Sequence, residues 1–474
     1  MPLGLALKLI QNTLMKIKTA LFDKLLFKRG SLAIALLCTH ACLTAGMSAD
    51  LKAQSLIDIY HLALAHDPTL ASALNANQAA QEIIQQSKAL YRPVVNFNAS
   101  ANAATTNISF IGAGVPFHGG NQSFGVYQVG IEAQQPIYRK QNLVAMDQAK
   151  TQVSLADKQL NLTQQNLILR TSLAYFEVLQ TQDKIELLNA QKAAIAKQLE
   201  QAKANFDAGT LTITDVNEAQ ARFDLVVAQE IAALNDHQIA LRAVQVITGE
   251  IPQKLATIRP TLKPNTLQQS LDKWLEVGAE NDLNIQILQE SAKYAEQEIE
   301  RANAGHLPTL DAVANVSENY ATSSYYGFGN DLKIGSIGIQ LQVPLYQGGA
   351  TSSRVRQAIF NKQKALSDVD TARRQMEQET QRAYLNLNTS IAQLKAYEQA
   401  LVSSQSQLDS TTVGYDVGSR TSVDLLNAQQ QLFSAKRDLL QARTNYLVNI
   451  IRLKAATGVI AESDLVDINQ QLVQ

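Results

Sequence analysis

Two long stretches of the chain carry apolar residues at helical spacing and contain no helix-breaking residue. Gly and Pro are absent from residues 137–208 and again from 350–413, and Ala, Gln, Leu, Lys and Glu are abundant in both. These residue types favour helices. At 1.5 Å per residue, each stretch predicts a helix on the order of 100 Å long. An ordinary globular core does not need helices of that length.

Shorter helices are predicted before and after the long ones. Residues 210–248 and 419–457 are also free of Gly and Pro, and residues 69–91 and 282–304 have helical patterns. One segment of each kind, placed end to end, nearly equals a long helix in length. We therefore expect a unit in which one long helix lies beside two stacked shorter helices.

A seven-residue repeat of apolar side chains predicts how these helices pack. The repeat consists of Leu155, Leu162, Leu169 and Phe176 in the first half, and of Leu425, Leu432, Leu439, Tyr446 and Leu453 in the second. A sustained heptad is typical of coiled coils. A water-soluble helical bundle is the plainer interpretation, but it does not explain the segments between the helices.

Those intervening segments alternate between apolar and polar residues, as half-exposed β-strands do. The four predicted strands cover residues 94–104, 126–136, 309–318 and 334–344. In the first of them, Val95 and Phe97 fall on one face, and Asn96 and Asn98 on the other. Each segment has about the length of a strand that crosses a bilayer. A polar, Gly-rich loop joins the two strands of each pair.

Four strands are too few for a closed barrel, because known barrels need about eight or more. An open sheet edge is not tolerated in lipid. Three copies of the chain supply twelve strands, so the strand count predicts a homotrimer with a 12-stranded membrane barrel. The alternative is a small water-soluble sheet attached to a helical bundle.

The two halves of the chain repeat the same motifs in the same order. Gly209 matches Gly418 and Asp215 matches Asp424, both at an offset of 209 residues. This pattern predicts an internal duplication within an α+β chain. The expected divisions are a first repeat at 50–249, a proline-containing linker at 250–270, a second repeat at 271–458 and a loosely ordered tail at 459–474.

The first 46 residues differ from the rest of the chain. A basic segment precedes the apolar run SLAIALLCTHACLTAG at 31–46, which is the arrangement of a secretory signal peptide. We expect residues 1–46 to be this signal, with cleavage between Ala45 and Asp50. A membrane anchor is less favoured, because the apolar run is shorter than a bilayer requires. Cys38 and Cys42 both lie in this segment.

Composition argues against several classes of function. A net charge of −1 gives no indication of nucleic-acid binding. The chain has six His, no cysteine after the signal segment, no phosphate-binding loop and no nucleophile motif. We therefore predict that the protein is not an enzyme and has no catalytic residue, cofactor or metal site.

Several long motifs occur in a fixed order along nearly the whole mature chain. They are TSLAYFEVL (171–179), FDAGTLTITDV (206–216), GHLPTLD (305–311), PLYQGG (344–349) and GYDVGSRTSVDLLNA (414–428). In these motifs the chain resembles the TolC family of trimeric exit ducts in the outer membrane of Gram-negative bacteria. The resemblance implies a 12-stranded barrel in outer-membrane lipid, continued by a long α-helical coiled-coil tunnel through the periplasm.

The resemblance also implies partners and a function. Such ducts work with a periplasmic adaptor, or membrane fusion protein, and with an inner-membrane pump of the ABC, RND or MFS type. They passively conduct drugs, toxic compounds or proteins in tripartite efflux or type I secretion. The alternative is a trimeric structural or adhesive coiled coil anchored in the outer membrane, without a conducting lumen.

The turns at Gly209 and Gly418 join the helices at the end far from the predicted strands. Glycine suits a tight turn between helices because it reaches backbone angles that other residues avoid. We therefore expect both turns at the periplasmic entrance of the duct, and the resemblance implies that the adaptor docks on them.

The two turns differ in the polar residues beside them. Tyr415 and Arg420 flank Gly418 and occur in the second repeat only. Thr214 and Asp215 come after Gly209 in the first repeat. An Arg–carboxylate pair forms directional, often bidentate bonds. The resemblance implies that these four residues form the links that hold the entrance closed. As ordinary surface residues they would contribute only about 0–1 kcal/mol.

Asp424 is a candidate for ion selectivity. If the second turn faces inward, threefold symmetry brings three Asp424 carboxylates near the axis, and such a ring attracts cations. The family has a second Asp where this chain has Asn427, so a weaker cation preference is expected. Glu218, the repeat partner of Asn427, is a candidate for compensation. The alternative is that Asp424 caps its helix outside the lumen.

Overall fold

Long helices and one antiparallel sheet form most of the chain. The computed structural model describes residues 53–109, 111, 120–262, 264, 269–324 and 328–473. The predicted signal peptide, with both cysteines, lies outside these residues. The helices are α1 (Leu56–His66), α2 (Pro68–Ala89), α3 (Lys140–Asp207), α4 (Ile213–Thr248), α5 (Leu271–Asn281), α6 (Leu283–Asn303), α7 (Ala350–Asp416), α8 (Ser422–Ala456) and α9 (Glu462–Asn469). The strands are β1 (Val94–Ile108), β2 (Gly120–Tyr138), β3 (Thr257–Ile258), β4 (Thr309–Ala321), β5 (Asn330–Gln342) and β6 (Leu472–Val473).

Each long helix lies beside two shorter ones, as the sequence predicts. Helix α3 contains 68 residues and packs along α2 and α4. Helix α7 contains 67 residues and packs along α6 and α8. Helix α3 also contacts α6 and α8, so it joins the two halves. Across the residues that the structure describes, none of the helices is both long enough and apolar enough to span a lipid bilayer.

The heptad positions of α8 are all buried, which confirms the coiled-coil packing of that helix. They are Leu425, Leu432, Leu439, Tyr446 and Leu453. The matching repeat in α3 behaves differently, because Leu155, Leu162 and Leu169 are only partly buried. Helix α3 packs against neighbours on several sides, and its buried residues therefore do not follow one stripe.

The main sheet contains four antiparallel strands in the order β1-β2-β4-β5. Phe97, Ile131 and Val316 are register partners across β1, β2 and β4, and they are 68%, 51% and 67% exposed. Ile337 and Ile339 on β5 are 88% and 71% exposed. An apolar face this open in a single chain is typical of a lipid-facing surface. Strands β1 and β5 form the two edges, so the sheet of one chain is not closed.

The strands extend beyond their predicted limits. Strand β1 continues to Ile108 and β2 begins at Gly120, while β4 reaches Ala321 and β5 begins at Asn330. Polar residues past the alternating segments continue the pairing, as with Asn107 opposite Asn121. The connecting loops are correspondingly shorter than predicted, and residues 110, 112–119 and 325–327 lie outside the described ranges.

The C-terminal tail is ordered, and the prediction of a loose tail is wrong. Helix α9 buries Leu465 and Ile468, and Leu472 of β6 pairs with Ile258 of β3 in the linker. The ion pair between Lys454 and Asp464 also fastens α9 to α8. The tail is ordered because its apolar side chains join the largest hydrophobic core of the protein.

That largest core surrounds the long helices where α1, α9 and the linker pack against them. Tyr175 and Phe176 of α3 are fully buried there, with their rings 5.6 Å apart and nearly perpendicular. The Tyr175 hydroxyl donates to the carbonyl of Ala256 at 2.8 Å. Burial raises the pKa of this phenol well above its ordinary range. The core therefore fixes the linker and tail against the helices.

An Arg–carboxylate pair fastens the sheet to the first long helix. Arg139, between β2 and α3, donates through Nε to Oδ1 of Asp311 at 2.9 Å and through Nη2 to Oδ2. Asp311 is buried on β4, and Gln134 of β2 donates to the same carboxylate. This bidentate contact fixes the direction in which α3 leaves the sheet.

Candidate functional site

The two turns that contain Gly209 and Gly418 lie at the end of the molecule opposite the main sheet. Strands β2 and β5 lead into the N-terminal ends of α3 and α7, and the turns follow the C-terminal ends of the same helices. At 1.5 Å per residue, the helices separate the sheet from the turns by about 100 Å. The predicted entrance residues are therefore grouped around one end of the helices.

The backbones of the two turns are nearly identical. Gly209 has φ +74° and Gly418 has φ +78°, in the left-handed region that favours glycine. In the first turn the Thr210 amide donates to the Asn205 carbonyl at 2.9 Å, and in the second the Ser419 amide donates to that of Gly414 at 2.8 Å. Apart from the glycine itself and its chain neighbours, no atom of the described residues lies within 4 Å of a Cβ placed on Gly209 or Gly418. The turn surface is therefore open.

Asp215 and Asp424 cap the helices that follow the turns. Oδ2 of Asp424 accepts from the Thr421 amide at 3.0 Å and from its hydroxyl at 2.9 Å. Oδ2 of Asp215 accepts from the Thr212 amide and hydroxyl at 3.1 and 2.7 Å. Both are capping boxes, a local reason for each Asp at its position. These bonds occupy only Oδ2, so Oδ1 is still able to accept a bond from outside the helix.

The capping box also keeps Asp424 charged. The Thr421 amide and hydroxyl, with a smaller contribution from the Arg420 guanidinium, hold the pKa of the Asp424 carboxyl below its ordinary value. Capping and a role in ion selectivity are therefore compatible. The capping role favours Asp at this position whether or not the side chain faces a lumen.

The second turn has a feature that the first lacks. Arg420 is exposed, and its aliphatic stem lies over Gly414, where an added Cβ would be 2.7 Å from the Arg420 Cγ. The first repeat has Asn205 and Leu211 at the matching positions. Gly414 therefore makes room for the Arg420 side chain. Sequence reasoning missed Gly414, although a second glycine in one repeat only was a visible signal.

The predicted lock residues do not pair within one chain. Among the described residues, no hydrogen bond or ion pair joins Tyr415 or Arg420 to Thr214 or Asp215. Thr214 is exposed, and Tyr415 is half-buried. Any link among the four residues therefore requires a second copy of the chain or a movement of the turns, and the lock assignment stays a prediction.

An apolar contact joins the second hairpin to the first just behind the turns. Leu426 of α8 is 2% exposed and packs with Leu199 and Ala202 of α3 and with Val216 and Ala219 of α4. Its insertion between the two helices of the first hairpin positions the start of α8. The side chains on either side of Leu426, including Asp424 and Asn427, are positioned by the same contact.

The remaining predicted residues, Glu218 and Asn427, are brought together by Arg222 of α4. Nη2 of Arg222 donates to Glu218 Oε1 and to Asn427 Oδ1, both at 2.9 Å. Its Nη1 donates to Gln430 Oε1. Sequence reasoning missed Arg222, although its position four residues after Glu218 is the spacing of a helical ion pair. Among the described residues, no group of three or more His, Cys, Asp or Glu side chains is arranged so that it could hold a metal ion.

Comparison with known proteins places this geometry in context. The family model described as Outer membrane efflux protein matches residues 59–250 and 274–459. Outer membrane protein TolC of Vibrio cholerae is 35% identical over 90% of this chain and 95% of its own. Alkaline protease secretion protein AprF of Pseudomonas aeruginosa is 29% identical over 88% of this chain and 87% of its own.

A solved structure has the same fold. The CmeC outer membrane channel of Campylobacter jejuni superimposes with a TM-score of 0.72, covering 94% of this chain and 99% of that one. Its sequence identity to this chain is 15%, so the likeness concerns the fold.

Proposed function

The chain belongs to the outer membrane efflux protein family, and on that premise we propose that three copies form an exit duct through the outer membrane. The observation that carries the proposal is the four-stranded sheet with two open edges and an uncovered apolar face. Pairing β1 of one copy with β5 of the next closes twelve strands into a barrel and leaves no edge in lipid. The family is one of transport channels, and the proposal includes no enzymatic step.

The helices continue the barrel as a tunnel into the periplasm. Their length of about 100 Å brings the turns close to the partners that supply energy. We assign a periplasmic adaptor to the open turn surfaces at Gly209 and Gly418, and an inner-membrane pump of the ABC, RND or MFS type behind it. Tripartite efflux and type I secretion both fit this arrangement, and the similarity to AprF supports secretion.

The entrance is closed by links between neighbouring copies in this proposal. Tyr415 and Arg420 of one copy reach Thr214 and Asp215 of a neighbouring copy. The capping bonds of Asp215 use one carboxylate oxygen and leave the other available. Three Asp424 side chains form a cation-attracting ring at the constriction. Asn427 adds no charge to that ring.

Single-channel current across a planar lipid bilayer tests the duct and the lock together. We expect a small wild-type conductance that rises severalfold in Tyr415→Phe/Arg420→Ser. Arg437→Ser is the matched control, because Arg437 is an exposed cation of α8 whose hydrogen bonds are local, to Ser434 and Asp438. Its conductance should equal that of the wild type.

Two other results would change the assignment. Equal and small conductances in all three proteins would keep the duct and remove the lock residues. Absence of current from correctly assembled trimers would instead favour the structural or adhesive coiled coil, which has no continuous lumen.

A further inference from the structure

Arg222 connects two helices that belong to different halves of the duplication. Its Nε and Nη2 donate to Glu218 Oε1 at 3.0 and 2.9 Å, which holds the guanidinium against its own helix α4. The remaining contacts go to Asn427 and Gln430 of α8, which are 205 and 208 residues away in the chain. One side chain therefore spans the boundary between the two hairpins.

The position of this side chain favours a strong contact. Arg222 is 22% exposed and Glu218 is 40% exposed, beside an open groove of about 540 Å³ between α3, α4 and α8. The planar guanidinium offers five N–H donors in a fixed arrangement. Glu218 orients it, so that less side-chain freedom is lost when Asn427 and Gln430 bind. Leu426, which makes the apolar contact with the first hairpin, directly precedes Asn427 in α8.

The duplication makes the link asymmetric. The repeat partner of Glu218 is Asn427, and the repeat partner of Arg222 is Gln431. The ionic pair therefore exists only on α4, while α8 supplies neutral acceptors. As a result, Glu218 is paired within its own helix, and its charge is not free to replace the one that Asn427 lacks.

We propose that Arg222 is a latch that fastens α8 to α4 within each protomer, and that opening of the entrance requires Asn427 and Gln430 to leave it. The inference rests on the proposed duct for its effect on current, but the fastening itself does not. Helix α8 carries Asp424 and follows Arg420, so freeing it moves the residues assigned to the constriction. The latch acts within one chain, whereas the proposed lock acts between copies.

The test combines two readouts on the assembled full-length protein. The first is amide hydrogen exchange of residues 425–431 at the start of α8, and the second is single-channel conductance. Arg222→Ala should raise both severalfold. Arg242→Ala is the matched control, because Arg242 lies on the same helix and is exposed, and within the described part of the chain its side chain bonds only to Gln245 three residues away. It should change neither readout.

A substitution at Asn427 should strengthen the latch, which is the opposite of the effect of Arg222→Ala. Asn427→Asp gives Arg222 a second carboxylate, so exchange of residues 425–431 should fall below the wild-type value. Conductance is not compared for this variant, because the added charge also changes the proposed cation-attracting ring. In Arg222→Ala/Asn427→Asp the new carboxylate has no cation to bind, and exchange should stay as high as in Arg222→Ala. If Arg222→Ala does not assemble, Arg222→Lys keeps the charge but loses the fork of donors, and it should give intermediate values.

The outcomes separate the latch from the duct. Unchanged exchange in Arg222→Ala overturns the latch, whatever the current. Increased exchange with unchanged conductance also overturns it, because α8 would then be freed without opening the entrance. If neither the wild type nor any variant conducts, the proposed duct fails, and the exchange data alone decide whether Arg222 fastens α8.

Discussion

The two helical hairpins end in the same turn but are held in different ways. In the first hairpin, α3 and α4 are joined by the ion pairs Lys184–Asp236 and Lys192–Glu230, and α3 has buried residues up to Ala202. In the second hairpin, the last buried residue of α7 is Ser404, twelve residues before the helix ends. Among the described residues, no ion pair joins α7 to α8.

This difference leads to an expectation about which hairpin moves. Within one chain the first hairpin is packed nearly to its turn, so we expect it to be the fixed one. The second depends near its turn on contacts that α8 makes with the first hairpin, chiefly those of Leu426 and Arg222. Segments with few buried contacts open at lower free-energy cost than the cores that support them. A gate is expected at such a place, and the entrance proposed above lies there.

Removal of the apolar contact should have the largest effect. Leu426→Ala leaves a cavity between the hairpins and should lower the free energy of unfolding by about 2–4 kcal/mol. It should also raise the single-channel conductance, because α8 loses its apolar contact with the first hairpin near the turns. Thermal unfolding and bilayer recordings measure the two effects.

Leu188→Ala is the matched control for that change. Leu188 is 7% exposed and packs inside the first hairpin with Ile195, Val226 and Ala233. It should cost a similar amount of stability without raising the conductance. Equal conductance changes in the two variants would contradict the division into a fixed and a movable hairpin.

A smaller effect is expected at Asp183 of α3. Burial, with a further contribution from Glu186, raises the pKa of this carboxyl from 3.8 to about 6, although Arg443 of α8 opposes the shift. Because the folded-state pKa exceeds the unfolded one, protonation favours the folded protein. The contribution of Asp183 to the free energy of unfolding is then fully present below about pH 4. It is lost as the pH rises through about 6.

Asp183→Asn removes the free-energy cost of keeping this partly buried carboxylate ionised at neutral pH. At pH 7.5 the variant should be more stable than the wild type by on the order of 1 kcal/mol, after allowance for partial solvent exposure. Near pH 4 the two proteins should unfold at the same temperature. Thermal unfolding at both pH values measures this, and a difference that is equal at the two would exclude titration of Asp183 as the cause.

The smallest effect on stability, but a specific one on current, is expected at Asp424. Asp424→Asn keeps an acceptor for the Thr421 cap and removes the charge, so reversal potentials under a salt gradient should show a weaker cation preference. Asp224→Asn, on the exposed surface of α4, should leave them unchanged. An equal shift in both variants would point to general surface charge.

The pH dependence of the selectivity gives a second check on Asp424. The pKa of this carboxyl is lowered in the folded protein, so it remains ionised below the usual range of aspartate. Cation preference should therefore persist as the pH falls through that range and disappear only at lower pH. Loss of the preference at or above the ordinary aspartate pKa would show that repulsion among the three carboxylates outweighs the effect of the capping box.

Patterns between near neighbours in the chain predicted most of the fold. The long helices, the alternating strands and the glycine turns all appear where the residues indicate them, although the strands are longer than predicted. The tail was misjudged because its short amphipathic segment gives a weak signal on its own. Leu465 and Ile468 become informative only when the core that receives them is known.

The site was predicted less completely. Both turns, with their Asp and Thr residues, follow from local sequence. Helix capping was only the alternative interpretation of Asp424, and the capping role of Asp215 was not predicted. Gly414 was missed because the space that it leaves for Arg420 is visible only in the folded turn. The pairing of Tyr415 and Arg420 with Thr214 and Asp215 stays a prediction.

The sequence by itself determined the local elements, because helix propensity, strand alternation and capping depend on residues a few positions apart. It also determined the need for more than one copy, since four strands leave two edges open. The tertiary structure alone decided that Arg222 meets Asn427 across 205 residues and that Leu426 enters the first hairpin. Such contacts depend on how the helices lie side by side, and no local pattern encodes that arrangement.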